Sequence, residues 1–148
     1  MMAKGRYARL GARRSDLEAA LSDRIRDAEV LIDGGRVDAS ITMGFYALEI
    51  ALKIAICQRL ELEALAVEFQ IHDLDDLLLL SGLGERIKSP AAQNARKDWD
   101  YFRATFSGTK INNLRYGGNG YSSRQAKNFI RRLLDPDVGF LRWLSSTT

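Results

Sequence analysis

The chain has 148 residues, of which 46% are hydrophobic and 28% are charged, and its single cysteine cannot form an internal disulfide bond. A chain of this length and composition fits one domain that buries its own core without disulfides or metals. No apolar run reaches the roughly 18 uncharged residues that a membrane span needs, and no apolar signal core follows the basic N-terminal residues. We therefore expect a soluble, cytoplasmic protein that does not bind membranes.

The net charge of +3 hides an uneven distribution of charge along the chain. Residues 1–14 contain five basic and no acidic residues, residues 15–85 contain five basic and fifteen acidic, and residues 86–148 contain twelve basic and four acidic. A basic C-terminal half can attract phosphate groups, and the same asymmetry can mediate contacts within a dimer or with a partner protein. Charge alone does not choose between these partners.

The N-terminal part of the chain predicts a basic tail and a first helix. Residues 1–14 have few large apolar groups, so we expect a flexible tail there and one helical domain over residues 15–148. Ser15 and Glu18 have the spacing of a capping box and predict the start of the helix. Gly34 and Gly35 predict its end. Apolar residues recur at helical spacing between these points, at Leu17, Leu21, Ile25, Ala28 and Ile32.

Residues 39–60 predict a central, buried helix, with Asp38 as its N-cap. The stretch reads ASITMGFYALEIALKIAICQRL and is apolar on nearly every side, so the helix needs neighbours on most of its circumference. Glu49 and Lys53 lie four residues apart, which favours an ion pair within the helix over a catalytic dyad. Cys57 is interpreted as a core residue and not as a reactive thiol. The helix could continue through residues 61–65, where neither glycine nor proline occurs.

Two further helices are predicted before residue 107. The segment HDLDDLLLLSGLG begins with His72 or Asp73 as a cap and ends at Gly82. Ser89 and Pro90 then predict the N-cap and first position of a fourth helix. That helix places its apolar residues on one face, at Ala92, Ala95, Trp99, Phe102 and Phe106.

The C-terminal part predicts a loop and two more helices. Residues 109–121 contain three glycines and three asparagines and have no helical period. Ser122 with Gln125 as a capping box, or Ser123 alone, predicts the start of the next helix, and Asp135 and Pro136 predict its end. Its apolar residues are expected to face inward, at Ala126, Phe129, Ile130 and Leu133. Residues 138–144 predict a short final helix. No strand and no internal repeat is predicted, so the fold class is all-α.

Most catalytic and metal-site patterns are missing from the sequence. One histidine and one cysteine make a zinc site improbable, and the acidic run at residues 73–76 lacks the spacing of an EF-hand. The glycines near residue 118 lack the lysine and hydroxyl of a P-loop. His72 is interpreted as a cap or a packed hydrogen-bonding group, because a lone histidine at a helix start is more often structural than catalytic. No cofactor is expected.

Cations alternate with aromatic and amide side chains in the C-terminal half. Arginines and lysines can contact phosphates while tyrosine rings stack on bases, so this pattern predicts a surface for single-stranded RNA. The pattern taken alone slightly favours the other interpretation, a solvated helix face beside a polar loop, so RNA binding is a hypothesis. The candidate residues are Lys110, Arg115, Tyr116, Tyr121, Arg124, Lys127 and Arg131.

The order of these signals resembles a HEPN domain, a family of small helical bundles. The resemblance covers about residues 15–144 and rests on the stretch LIDGGRVDASITMGFYALEIALK, on HDLDDLLLL, and on Trp99 followed by Arg115 and Tyr116. It implies an up-and-down four-helix bundle with one or two additional short C-terminal helices, commonly a homodimer. It also implies a setting in toxin–antitoxin pairs, in defence systems, or beside a partner nucleotidyltransferase.

Many HEPN proteins are metal-independent ribonucleases with an arginine and a histidine four to six residues apart. Arg115 matches the arginine, but the positions where the histidine would fall are Gly120, Tyr121 and Ser122. The leading hypothesis is therefore a catalytically degenerate HEPN-like module that binds RNA, a nucleotide or a partner protein. The alternative is an endoribonuclease with a non-standard site in which folding or dimerisation brings His72 beside Arg115. A purely protein-binding role is the third possibility.

Overall fold

The structure, a computed structural model, describes residues 13–65, 71–106 and 120–146. Within these ranges the backbone forms α-helices and two short 3₁₀ turns, and it contains no β-strand. The predicted all-α class is therefore confirmed. The helices are α1 (Arg14–Asp33), α2 (Val37–Arg59), α3 (Leu74–Leu80), α4 (Gln93–Phe106), α5 (Ser123–Leu134) and α6 (Phe140–Ser146), with 3₁₀ turns at Arg86–Lys88 and Pro90–Ala92.

Helix α2 lies at the centre of the protein, as its nearly continuous apolar sequence predicts. It packs against α1, α3, α5 and α6, and 14 of its 23 residues are buried. A helix with neighbours on one side only would bury a single stripe, so burial of this extent requires partners around most of its circumference. Cys57 is fully buried in this core, which confirms its interpretation as a core residue.

Among the described helices, α2 is also long and apolar enough to cross a membrane. Its most apolar window has a mean hydropathy of 1.5, and 72% of that window is buried inside the protein. Glu49 and Lys53 lie in its middle and pair as predicted, with 3.4 Å between Nζ and Oε2. Packing against the other helices accounts for most of the apolar surface of α2.

Helix α1 begins without the predicted capping box. Its N-cap is Arg13, and no side chain caps the helix. Glu18 pairs instead with Arg14, with 3.3 Å between Oε1 and Nε, so the capping role of Ser15 and Glu18 was predicted wrongly. The backbone N–H of Arg14 donates to the carbonyl of Glu63 at 2.8 Å. The segment that follows α2 therefore satisfies one of the N–H groups that the first turn of a helix leaves without an intrahelical partner.

The turn between α1 and α2 is short. Gly34 caps the end of α1, and Gly35 has a φ of +77°, a conformation that favours glycine. Helix α2 then begins at Val37 with Arg36 as its N-cap. The prediction of Asp38 as the N-cap is wrong. Asp38 lies in the first helical turn, where its charge still favours the positive end of the helix dipole.

Helix α2 ends at Arg59 and does not continue through residues 61–65. Glu61 adopts a left-handed backbone conformation with a φ of +54°. The N–H of Leu62 donates to the carbonyl of Cys57 at 2.8 Å, and the N–H of Glu61 donates to the carbonyl of Gln58 at 3.3 Å. These two bonds form a Schellman motif with glutamate at the position that glycine usually occupies.

The N-terminal caps of α3 and α5 are formed by the predicted residues, but that of α4 is not. The side chain of Asp73 accepts a hydrogen bond from the N–H of Asp76 at 2.9 Å, and α5 starts with the predicted capping box of Ser122 and Gln125. At Ser89 the hydroxyl donates to the carbonyl of Arg86 instead of capping a helix. A 3₁₀ turn therefore precedes α4, which starts at Gln93 and not at residue 90.

Aromatic rings fill the space between α2, α4 and α5. Phe129 stacks on Phe45 with 4.6 Å between ring centroids and meets the edges of Phe102 and Phe106 at 5.1 and 5.2 Å. Gly44 lets α5 approach α2 closely, because a Cβ atom there would lie 2.5 Å from the ring of Phe129. The predicted apolar faces of α4 and α5 are all buried in this core.

Candidate functional site

Three cationic side chains share the exposed side of α5. Arg124, Lys127 and Arg131 follow one another at spacings of three and four residues, which places them along one side of a helix. All three are exposed. The opposite side of α5 is buried by Ala126, Phe129, Ile130 and Leu133. Burial of that side fixes the rotation of the helix, so the three cations face solvent; we call them the α5 basic face.

The α5 basic face has few acidic neighbours in the described part of the chain: the charge of Arg131 acts on Asp98 and Asp135, but at longer range than a salt bridge. None of its three side chains forms a salt bridge there. Arg131 donates to the side-chain oxygen of Asn128, which is neutral. Exposed cations without carboxylate partners remain able to neutralise phosphates. The arrangement can therefore bind a polyanion without first breaking an ion pair.

Tyr121 lies just before α5 and packs partly against the core. Its ring meets that of Phe106 at 4.9 Å between centroids, in an edge-to-face arrangement. The side chain is half-buried, so part of the ring is used to join the start of α5 to the end of α4. Stacking of Tyr121 on a base stays a prediction. Such stacking would use the part of the ring that remains exposed.

The other predicted RNA contacts lie outside the described residues. Lys110, Arg115 and Tyr116 belong to the range 107–119. The tail predicted over residues 1–14 is also outside it, except for Arg13 and Arg14. The predicted site of Arg115 with His72 therefore stays a prediction.

A partly buried ion pair joins α4 to α5 beside the helix that carries the α5 basic face. Nη1 of Arg132 donates to Oδ1 of Asp98 at 2.9 Å, and the guanidinium carbon lies 4.6 Å from the ring centroid of Tyr101. Burial raises the pKa of Asp98, and the hydrogen bond and charge of Arg132 oppose that shift. Nε of Arg132 is buried and has no hydrogen-bond partner within the described ranges. The pair joins α4 to α5 and holds the helix that carries the basic face.

A second polar cluster joins α2 to the start of α3. Nδ1 of His72 lies 2.9 Å from Oε1 of Glu49, whose other oxygen lies 3.4 Å from Nζ of Lys53. Glu49 and Lys53 are mostly buried, with 12% and 10% of their side chains exposed, whereas 73% of the His72 side chain is exposed. His72 is therefore hydrogen-bonded but not packed, and Asp73 is the residue that caps α3. We call these three residues the His72 cluster.

In chemical terms, the His72 cluster holds an imidazole in one orientation. A carboxylate bonded to Nδ1 can fix the ring and its tautomer and leave Nε2 toward solvent. Such a nitrogen is placed where it can take part in proton transfer with a bound ligand. No group of three histidine, cysteine, aspartate or glutamate side chains in the described ranges is arranged to hold a metal ion.

Sequence reasoning predicted the pair of Glu49 with Lys53 but missed the contact of His72 with Glu49 and the pair of Asp98 with Arg132, for different reasons. Asp98 lies three residues after Ala95 and four before Phe102, so helical spacing alone places it on the buried face, where a carboxylate needs a partner. That signal was present in the sequence. Glu49 and His72 are 23 residues apart in the sequence, and only the packing of α3 against α2 brings them together.

Comparison with known proteins finds no matching family model, no similar curated protein and no similar solved structure.

Proposed function

We propose that this protein is a catalytically degenerate HEPN-like module that binds single-stranded RNA through the α5 basic face. The observation that carries the proposal is the placement of Arg124, Lys127 and Arg131 on one exposed helix face without carboxylate partners in the described ranges. Backbone phosphates supply most of the affinity of such surfaces, and their binding depends strongly on salt. A nucleotide or a partner protein remains the other ligand that the HEPN resemblance implies.

The same proposal includes the arrangement of the helices. The four longer helices α1, α2, α4 and α5 form an up-and-down bundle, and α3 and α6 are the short additions. Contacts of α1 with α2, of α2 with α5 and of α4 with α5 support it.

The protein forms a homodimer, acts in the cytoplasm, and belongs to a toxin–antitoxin or defence system or accompanies a nucleotidyltransferase. The burial of α2 supports a soluble protein.

The affinity of the purified protein for a fluorescent single-stranded RNA tests the proposal. Arg124→Ala combined with Lys127→Ala removes two exposed cations and leaves the buried side of α5 intact, so the fold should persist. At low salt we expect this variant to bind about tenfold more weakly or worse, because two phosphate contacts are lost.

A matched variant separates a local contact from the effect of net charge. Arg26 and Arg36 are exposed on the α1–α2 hairpin, and changing both to alanine removes the same total charge. This control should bind RNA nearly as well as the wild type. Equal loss of affinity in both variants, or the absence of salt-sensitive binding by the wild type, would contradict the proposal.

One observation favours a second function, that of a metal-independent endoribonuclease. The exposed His72 is oriented by Glu49 at 2.9 Å, and Lys53 holds Glu49 in turn. Such an imidazole could remove the proton from a 2′-hydroxyl group, while Arg115 would stabilise the charge on the phosphate.

Cleavage of RNA in the presence of EDTA distinguishes the two functions. For the ribonuclease, His72→Ala and Arg115→Ala each abolish cleavage, and Glu49→Gln reduces it because the imidazole loses its orienting carboxylate. For the binding module, RNA stays intact with wild-type protein under the same conditions. His72 is exposed, so its replacement should leave the fold unchanged, which circular dichroism can verify.

A further inference from the structure

Two neutral amide side chains lie among the cations of the α5 basic face, and both bond within the helix. Oε1 of Gln125 accepts a hydrogen bond from the N–H of Ser122 at 2.8 Å, as part of the capping box. Oδ1 of Asn128 accepts a hydrogen bond from Nη2 of Arg131. An amide reads the edge of an adenine base by accepting and donating at the same time. Because each amide oxygen already accepts a bond within α5, these two side chains act on the helix itself and are not arranged for such readout.

Arg124 and Lys127 are charged but are not oriented by the described part of the chain. Neither side chain donates a hydrogen bond or forms a salt bridge within those ranges. Recognition of guanine by arginine requires that neighbouring groups hold the planar guanidinium in one orientation. Contact with a phosphate requires only that a positive charge come within reach of it. These two cations therefore suit phosphates, which every nucleotide carries.

The three cations of the α5 basic face form a narrow row along the helix. A rise of about 1.5 Å per residue places Arg124 and Arg131 about 10 Å apart along the axis, with Lys127 between them. A rotation of about 100° per residue places all three within an arc of about 60°. A row that is one side chain wide follows the backbone of one strand. That backbone carries the same phosphates in RNA and in DNA.

We infer that the α5 basic face binds the backbone of a single strand without reading its sugar or its bases, and therefore binds single-stranded DNA as well as RNA. Proteins distinguish RNA from DNA at a given position through the 2′-hydroxyl group. Gln125 and Asn128 bond within α5, which leaves the exposed hydroxyl of Ser123 as the neutral polar group of this described helix that faces solvent. The inference rests on the proposed binding of RNA by this face and widens the class of ligand to single-stranded nucleic acid.

Fluorescence anisotropy with three labelled strands of equal length tests the inference on the full-length protein. The strands are oligouridylate RNA, oligodeoxyuridylate DNA, and a DNA strand in which every nucleotide is abasic. The first two differ only in the 2′-hydroxyl group, and the last two differ only in the bases. For each strand, the affinity of the wild type is divided by that of the combined Arg124→Ala and Lys127→Ala variant. This ratio isolates the contribution of α5 from that of any other part of the chain.

The ratio should be about tenfold or more for every strand, and the three ratios should agree within about twofold, because the lost contacts are to phosphates. A larger ratio for RNA than for DNA would overturn the inference and leave the proposed RNA binding in place. A larger ratio for the strands with bases than for the abasic strand would overturn it in the same way. A ratio near one for all three strands would overturn the proposed function together with this inference, because the face then binds no strand.

Ser123→Ala tests the one exposed hydroxyl that α5 offers in the described structure. The ratio of RNA affinity to DNA affinity should stay within about twofold of the wild-type value, because no described contact orients this hydroxyl toward a sugar. Alanine is a good helix former, so α5 should persist, and circular dichroism verifies this. A selective fall in RNA affinity would contradict the inference. The combined Arg26→Ala and Arg36→Ala variant is the control for net charge and should bind all three strands nearly as the wild type does.

Discussion

At the scale of single residues, Asp98 should determine part of the pH dependence of stability. Burial raises the pKa of Asp98, so between its ordinary and its raised value the folded state binds more protons than the unfolded state. The free energy of unfolding therefore falls as the pH rises through this interval. Relative to Asp98→Asn, the wild type should gain stability on acidification from neutral pH to about pH 4. Urea unfolding at both pH values measures this difference.

Asp135 provides a control of opposite sign. The N–H groups of Val138 and Asp137 donate to its carboxylate and lower the pKa of Asp135. Its contribution to stability is therefore present above the ordinary carboxyl pKa and is lost as the pH falls through the lowered value. Relative to Asp135→Asn, the wild type should lose stability on acidification. The same sign for both aspartates would contradict the assignment of their environments.

Glu61 should be replaceable by glycine with a gain in stability. Its φ of +54° lies in the left-handed region, which costs an L residue roughly 1–2 kcal/mol. Glycine adopts this conformation without the clash, although it loses more entropy on folding. We therefore expect Glu61→Gly to raise the free energy of unfolding by about 0.5–1 kcal/mol. Glu63→Gly, at an exposed position without a positive φ, should not raise it, and a gain there would contradict the explanation.

The sequence predicted residue environments where local spacing determines them. Burial of Phe129 and Leu133, the ion pair of Glu49 with Lys53, and the caps at Asp73 and Ser122 all depend on neighbours within four residues. The left-handed Glu61 was missed because glutamate carries no turn signal and because the Schellman bonds become apparent only in three dimensions.

At the scale of helices, the contact between α2 and α5 should be sensitive to a single methyl group. A Cβ atom at residue 44 would lie 2.5 Å from Cε2 of Phe129 and 3.2 Å from Cδ1 of Ile130. Phe129 cannot move away easily, since Phe45 stacks on one face and other rings surround it.

Gly44→Ala should therefore destabilise the protein by about 1–2 kcal/mol. Overpacking costs roughly 1–3 kcal/mol, while alanine gains up to about 1 kcal/mol in helix propensity over glycine, so the clash outweighs the gain. Thermal and urea unfolding measure the change. Gly34→Ala is the matched control, because a Cβ atom there meets backbone only at 3.4 Å; a larger loss at residue 34 than at residue 44 would contradict this account.

The existence and order of the helices could be predicted from apolar periodicity, whereas several helix ends could not. Residues 39–60 gave the central helix to within two residues at its start, because a run of this length and apolarity must be buried. The cap of α1 was missed because the N–H group of Arg14 bonds to the carbonyl of Glu63, which is distant in the sequence. The start of α4 was missed because a 3₁₀ turn intervenes after Ser89.

At the scale of the whole molecule, segregated charge is the property most relevant to function. Residues 15–85 carry an excess of acidic groups and residues 86–148 an excess of basic groups. Composition does not show which of these basic groups are exposed, but the fold does. Arg132 pairs inward with Asp98, whereas Arg131 faces solvent. Adjacent arginines in the sequence thus differ in role, and only the outward one is without a salt bridge in the described ranges.

The salt dependence of RNA affinity tests the central claim most directly. For single-stranded RNA, each neutralised phosphate contributes about 0.7 to the slope of log affinity against log salt concentration. If the α5 basic face binds RNA, the combined Arg124→Ala and Lys127→Ala variant should have a slope shallower than that of the wild type by about 1.4. The combined Arg26→Ala and Arg36→Ala control should keep the wild-type slope. Parallel slopes for the wild type and the α5 variant would contradict RNA binding by this face.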